Sequence, residues 1–314
     1  MIDMNINNFL KDNQDVKNAL ESIMKTEELT EISLMTKGAT NRSYLVRALS
    51  GNYVLRVPGK GSDEMIDRHL ECEVYSLIKD CGISDKAVYI NPENGIKISI
   101  YHSDSRFLNL TNENEIKTFL KTVKNFHKCN IKCSAEYDFY ENIQKYEVLR
   151  NSLSCFDDYE KVKNNIFSMK EFTDSHRSMY TLIHNDLSCE NCLFFSDENN
   201  EDKCILIDFE YAAMQCPAAD IAYFCVFSSL DETSTDKIIQ YYYEDECDSD
   251  KYAQVYAYIA LNAFLHSNWL EFKISLEDER KNERRQESVS AYNMAKLYYK
   301  KYKEASVCPE WKEQ

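Results

Sequence analysis

Apolar residues recur at helical spacing over residues 6–29, at Ile6, Phe9, Leu10, Val16, Ala19, Leu20, Ile23 and Met24, which predicts a helical N-terminal segment. The pattern then changes. Ile32 and Leu34 lead into a polar loop over 36–43, and Tyr44-Leu45-Val46 and Tyr53-Val54-Leu55-Arg56-Val57 flank a turn at Ser50-Gly51-Asn52. Two aromatic and β-branched runs around such a turn predict a hairpin, which Pro58-Gly59-Lys60-Gly61 ends. Helical spacing returns over 63–80, with Met65, Ile66, Leu70, Val74, Leu77 and Ile78 on one side. Residues 87–91 and 96–101 read as two strands around Asn91-Pro92-Glu93-Asn94-Gly95.

From Asn112 onward helical patterns dominate, over 113–128, 138–151, 157–172, 217–230, 235–247 and 250–300. Short strands interrupt them around Leu182-Ile183, Cys192–Phe195 and Cys204–Ile207. The change of pattern falls near Tyr101–Leu110, giving a small β-rich lobe of residues 1–102 and a larger helical lobe of residues 103–314. This is an α+β organisation. The charged runs Tyr243–Asp250 and Glu277–Gln286 read as solvated helix ends and faces.

Composition narrows the function classes. A hydrophobic fraction of 44% and a charged fraction of 29% exclude a largely disordered chain. Uninterrupted apolar runs such as Ile221–Phe227 fall far short of the ~20 residues of a membrane helix. The N-terminus carries early acids and no apolar signal core, so the expected address is cytoplasmic, with no membrane insertion. A net charge of −16 disfavours nucleic acid and anionic membranes and suits a cationic small molecule. Only 6 glycines and 4 prolines argue against Gly-rich dinucleotide folds and turn-dense all-β folds. The 12 cysteines are scattered in a chain without an export signal and read as reduced thiols.

The segment 182–211 carries the chemistry. A short strand leads to His184-Asn185-Asp186, Asn191 follows five residues later, and a hairpin-like pair delivers Asp208-Phe209-Glu210. Phosphoryl transfer needs a placed nucleophile, an acceptor for its proton, and neutralisation of phosphate charge. Asp186 on a loop is suited to accept a hydroxyl proton. Asn191 and Asp208 offer one neutral and one charged oxygen, the donor types of a Mg²⁺ that keeps waters and phosphate oxygens. Taken singly these are turn or cap residues; H-x-D-x-x-x-x-N followed by strand, turn, strand and I-D-F is selective.

Here the sequence resembles a known family. His184 to Asn191 looks like the catalytic loop of the aminoglycoside phosphotransferase and choline kinase superfamily. Ile205-Leu206-Ile207-Asp208-Phe209-Glu210-Tyr211 resembles the metal motif of choline and ethanolamine kinases. Lys37 to Val46 resembles the nucleotide loop of bacterial LicA-type choline kinases, Tyr53 to Gly61 their next strand, and Asp67-Arg68-x-x-Glu71 their following helix. The resemblance implies a two-lobe protein-kinase-like fold using ATP and Mg²⁺. It implies a nucleotide site built from Thr40, Asn41, Ser43 and Arg56, with Glu71 pairing Arg56 and Glu73 as a competitor, and a hinge at Ser99–His102. Asp186, Asn191 and Asp208 would be catalytic, with the last two holding the metal.

Acceptor recognition is expected in the helical lobe, through Glu210, Asp220 and Trp269. Asp220 has two other readings, as a brace of the catalytic loop or a helix cap. Trp269 sits where such kinases resemble L-W-x-L-W, and His266 replaces the first tryptophan; the alternative for Trp269 is a core aromatic. A tryptophan face attracts a quaternary ammonium. The expected reaction is phosphate transfer from ATP to a small cationic alcohol, most simply choline. Ethanolamine, thiamine and aminoglycosides are the other acceptors, and a catalytically silent nucleotide-binding regulator is the reading from a different class. Cys189-x-x-Cys192 lacks a second pair and a redox context. His127 reads as a packed helix residue.

Overall fold

A computed structural model describes residues 2–37, 41–59, 66–196, 202–276 and 280–307. Packing divides the chain into two compact units, Met1–Leu110 with Glu190–Ala212, and Thr111–Cys189 with Ala213–Gln314. The return of Glu190–Ala212 to the first unit has no counterpart in a single division of the sequence after residue 102. It arises from non-local strand pairing, which leaves no periodic trace.

In the first unit, β1 (Ile2–Asp3), β2 (Leu29–Lys37), β3 (Asn41–Ala48), β4 (Gly51–Pro58), β5 (Ala87–Ile90) and β6 (Lys97–Ile100) form one antiparallel sheet. Its order is β1-β2-β3-β4-β6-β5. The β3–β4 hairpin closes with Ala48 opposite Gly51, so its two-residue loop is Leu49-Ser50, slightly earlier than the sequence suggests. After β7 (Arg106–Phe107), and after β8 (Thr181–Ile183) of the second unit, β9 (Cys192–Ser196) and β10 (Asp202–Leu206) form a hairpin that pairs with β7.

Helices α1 (Ile6–Asp12) and α2 (Gln14–Glu21) cover one face of the sheet. Phe9, Leu10, Val16 and Leu20 pack there with Ile32, Val46, Leu55 and Ile98. The helical pattern over 6–29 is broken at Asn13, which leaves helical geometry and turns its amide onto the Phe9 carbonyl at 2.8 Å. Such side-chain bonds compete with the helix ladder. Leu55 pairs with Ile98 and Arg56 with Lys97 across β4–β6. Side chains alternate along a strand, so the apolar pair faces α1–α2 and the charged pair faces the opposite side, toward α3 (Arg68–Ile78).

The second unit is helical: α4 (Glu113–Lys128), α5 (Phe139–Arg150), α6 (Tyr159–Phe167), α7 (Lys170–Ser175), α8 (Ala218–Phe227), α9 (Glu232–Tyr243), α10 (Ser249–Ser275) and α11 (Lys281–Val307). The long 250–300 pattern is two helices, not one. They run back along each other, with Ser267 hydrogen bonded to Ser288 and Phe264 near Tyr292. Helix α10 is buried from Tyr252 to Leu265 and forms the core of this unit. β8 pairs with β11 (Ala213–Gln215), and the chain leaves β8 directly into His184. Among the described residues no helix is long and apolar enough to cross a membrane.

Candidate active site

The first unit gathers two guanidiniums and three carboxylates on the charged side of its sheet. Arg56 Nη2 lies 2.6 Å from Glu71 Oε1, and its Nη1 is 2.9 Å from Asp208 Oδ1 and 3.3 Å from Glu210 Oε2. Arg68 Nη1 donates to Glu71 at 2.9 Å and to Glu210 at 3.2 Å. Burial alone would discharge Arg56, but Glu71 beside it outweighs that and holds the guanidinium firmly charged. Burial likewise raises the Glu71 carboxyl, and Arg56 overcomes this and keeps it below the usual range. Glu210 goes the other way: burial, then the Asp208 charge, push it up. Of the two helix acids considered for Arg56, Glu71 is the partner.

A cavity of about 530 Å³ adjoins this cluster, and Ser43, Arg56, Asn191 and Asp208 line it together with the segment from Ser99 to His102. Asn191 and Asp208 meet because β9 and β10 pair up to Cys192 and Leu206, and Ile207 N–H donates to the Asn191 carbonyl at 3.0 Å. Asp208 adopts φ 66°, a left-handed conformation that Asp and Asn tolerate better than other side chains. Its side chain is 31% exposed, whereas Glu71 and Glu210 are at 1% and 2%. Glu71, Asp208 and Glu210 have oxygens within 4.8 Å of one another, a hard-donor set. Arg56 also engages Asp208, but Asp208 is the partly exposed one of the three, so it and Asn191 could serve a Mg²⁺ requiring few protein oxygens and several waters. Behind them lies a buried polar group: Lys97 donates to Asp85 at 3.0 Å and to the Tyr75 hydroxyl, and Ser99 Oγ donates to Asp85 at 2.6 Å.

The second unit presents Asp186. Asn185, at φ 60°, turns the chain in the left-handed region. Asp220, fully buried at the start of α8, holds this turn: Oδ2 accepts from His184 N–H at 2.9 Å and Oδ1 from Asn185 N–H at 2.7 Å. His127 Nε2 lies 2.8 Å from the same Oδ2, and its Nδ1 is 2.7 Å from the Tyr242 hydroxyl. A carboxylate only accepts, so Nε2 carries the proton toward Asp220. Asp186 is half-buried and accepts a short hydrogen bond from the Tyr223 hydroxyl.

Tyr223 begins an aromatic ladder. It stacks on Phe227 at 4.0 Å between centroids, Phe227 meets His266 edge-on at 4.6 Å, and His266 stacks on Trp269 at 5.5 Å. Burial and the nearby Arg284 push His266 down to about 4, so the imidazole is neutral at physiological pH. Arg284 and Lys273 stand over the Trp269 ring at 5.5 and 5.6 Å.

These positions correct parts of the sequence reading. Glu210, expected at the acceptor, is buried in the guanidinium cluster, because Arg56, Arg68 and Asn41 all converge on its Oε2. Asp220, expected there too, braces the loop from beneath. Asn41 is buried and donates to Glu210 at 2.8 Å. Trp269 is half-buried and already carries two cations of the chain itself. Thr40 lies outside the described residues. Cys189 is next to Ser228, whereas Cys192 contacts Cys204. The sequence reading passed over Arg68, Tyr223 and Phe227. Signals existed: Arg68 stands at i, i+3 from Glu71, and Tyr223 and Phe227 stand three and seven residues after Asp220, one helix face.

The family model for choline/ethanolamine kinase matches residues 32–301. The protein LicA of Haemophilus influenzae is 22% identical over 223 residues, 65% of this chain and 60% of that protein, so the match leaves a good part of that relative uncovered. A probable ethanolamine kinase of Nematostella vectensis is 25% identical over 232 residues, 65% of this chain and 63% of its own length. The crystal structure of the choline kinase LicA from Streptococcus pneumoniae superposes with a TM-score of 0.71 at 23% identity, covering 90% of this chain and 99% of that one. The kinase-like fold is common to both.

Proposed function

The chain belongs to the choline/ethanolamine kinase family, and from that premise we propose that it transfers the γ-phosphate of ATP to the hydroxyl of choline. In this reading the first unit holds the nucleotide in the cavity lined by Ser43, Arg56 and the Ser99–His102 segment. Arg56 grips phosphate oxygens through its planar fork. Asn191 and Asp208 hold Mg²⁺, which neutralises phosphate charge when bound. The second unit supplies Asp186, which accepts the proton of the acceptor hydroxyl, and Tyr223 orients that carboxylate.

The observation that carries the choice of acceptor is the ladder running from Asp186 through Tyr223 and Phe227 to His266. It sets an aromatic face beside the proposed base. A quaternary ammonium has no N–H to satisfy and is attracted by ring faces. A primary ammonium wants hydrogen-bond acceptors for three donors, which aromatic ring faces do not offer. Phe227, at 38% exposed, is the open ring, with Trp269 as the rear wall.

Steady-state ADP release with choline, ethanolamine and an aminoglycoside tests this. The expected order of kcat/KM is choline, then ethanolamine, with the aminoglycoside far behind. Phe227→Ala should raise the choline KM by roughly 3–30-fold, the range a cation–π contact implies, and leave the ATP KM within twofold. Preference for ethanolamine, or an unchanged choline KM, contradicts the acceptor assignment.

A further inference from the structure

We propose that Arg68 is a positioning residue for the nucleotide: it keeps Glu71 and Glu210 compensated so that Arg56 can turn from Asp208 and Glu210 to a phosphate. The proposal rests on the nucleotide-binding part of the reading above, and only on that part.

Arg56 has both edges of its fork occupied. One edge serves Glu71; the other serves Asp208 at 2.9 Å and Glu210 at 3.3 Å. To hold a phosphate it must release the second edge. Asp208 is partly exposed, so water takes over there. Glu210 is buried and has no such recourse. Arg68 supplies it: Nη1 reaches Glu210 at 3.2 Å and Glu71 at 2.9 Å, and Nη2 donates to the Asn41 side-chain Oδ1 at 3.3 Å. Asn41 in turn donates to the same Glu210 oxygen at 2.8 Å. Glu210 therefore keeps a cation and an amide when Arg56 leaves. Without Arg68, Arg56 would be the one guanidinium serving two buried carboxylates, and withdrawing from Glu210 leaves that buried charge with the Asn41 amide and no cation, which is unfavourable.

A second observation shows that the backbone makes room for Arg68. Gly95 adopts φ +64°, and a Cβ built on it would lie 2.7 Å from Arg68 Nε and 2.6 Å from Pro58 Cγ. Any larger residue displaces this side chain. The Gly95 carbonyl also receives Arg56 Nη2 at 3.5 Å, so one turn adjoins both guanidiniums.

The test measures Mg²⁺–ATP affinity of the full chain by titration calorimetry for wild type, Arg68→Met, Arg68→Lys, Glu210→Gln and the pair Arg68→Met with Glu210→Gln. Arg68→Met should weaken ATP binding by about tenfold or more, by analogy with other broken buried pairs, and leave the choline KM within twofold. Arg68→Lys should recover part of the loss. Adding Glu210→Gln to Arg68→Met should move the affinity back toward wild type, since the carboxylate that needed Arg68 is gone. A purely structural role gives no such rescue. Arg68→Met within twofold of wild type, or no rescue by Glu210→Gln, overturns the proposal. If Arg68→Met does not fold, the same rescue is read on Arg68→Lys. A wild-type chain that binds ATP but phosphorylates no alcohol refutes the proposed function and leaves this test intact; one that binds no ATP overturns both.

Discussion

Replacing Asp220 with Asn probes how the Asp186 loop is held. Asp220 is 0% exposed, so solvent neither screens its charge nor replaces its partners. Its two oxygens accept three hydrogen bonds, from His184 N–H, Asn185 N–H and His127 Nε2. An asparagine keeps the shape but turns one oxygen into a donor. Facing Asn185, that amide opposes one backbone N–H; facing His184 and His127, it opposes one backbone N–H and one ring N–H. A buried orphan costs about 1–3 kcal/mol, and bonds to a charged acceptor lie at the upper end. The expected loss of stability is therefore roughly 2–4 kcal/mol, while Asp220→Ala, which orphans all three donors, should lose more. The turn at Asn185 sits in left-handed backbone and relies on these bonds to stay there. Movement of Asp186 by about 1 Å would cost on the order of 10² in kcat. Urea unfolding followed by circular dichroism gives the first number, and ADP release in native buffer gives the second. Asp220→Asn within about 0.5 kcal/mol of wild type, together with kcat within twofold, refutes the bracing role, since even one ordinary hydrogen bond contributes that much.

Three further outcomes are expected. Asp186→Asn should lower kcat by about 10²–10⁴-fold with the ATP KM nearly unchanged, the usual reach of general-base help; a loss of only a few-fold removes Asp186 from that role. Asp208→Ala should fold yet lose the Mg²⁺-dependent part of the rise in Tm on adding ATP, and a rise equal to wild type contradicts the metal assignment. His266 is held at about 4 against an ordinary 6.5, so the unfolded chain binds its proton first. Its contribution to stability is complete above pH 6.5 and is lost as pH falls toward 4. Unfolding free energies of wild type and His266→Phe should therefore run parallel above pH 6.5 and converge or cross below it, and parallel curves down to pH 4 contradict the assignment.

Much of the fold was legible because it is periodic. α4 was delimited at both ends by its apolar spacing, and the β3–β4 hairpin was legible from its two apolar runs, though its loop falls earlier than the Ser-Gly-Asn turn. The family was legible for another reason: few sequences place His184, Asp186, Asn191 and Asp208 around a strand pair by accident. What escaped was non-local. Glu210 reads as an acceptor contact, yet three donors from distant segments converge on it. For Asp220 the sequence left an acceptor contact, a brace of the loop and a helix cap open, and only the distant His184, Asn185 and His127 converging on it select the brace. Strand β7 is two residues long and exists only because β9 pairs with it. Tyr223 and Phe227 share a helix face with Asp220, but within a run as apolar as Ile221–Phe227 that face reads as core like the others.

The central claim is that this chain moves a phosphoryl group onto choline through Asp186. Phosphorus NMR of the full chain with ATP, Mg²⁺ and choline tests it most directly. The account predicts a new phosphomonoester resonance that grows in equal amount with ADP, requires choline, and is lost in Asp186→Asn. ADP formed at the same rate with and without choline, or a phosphomonoester that persists in Asp186→Asn, would contradict it.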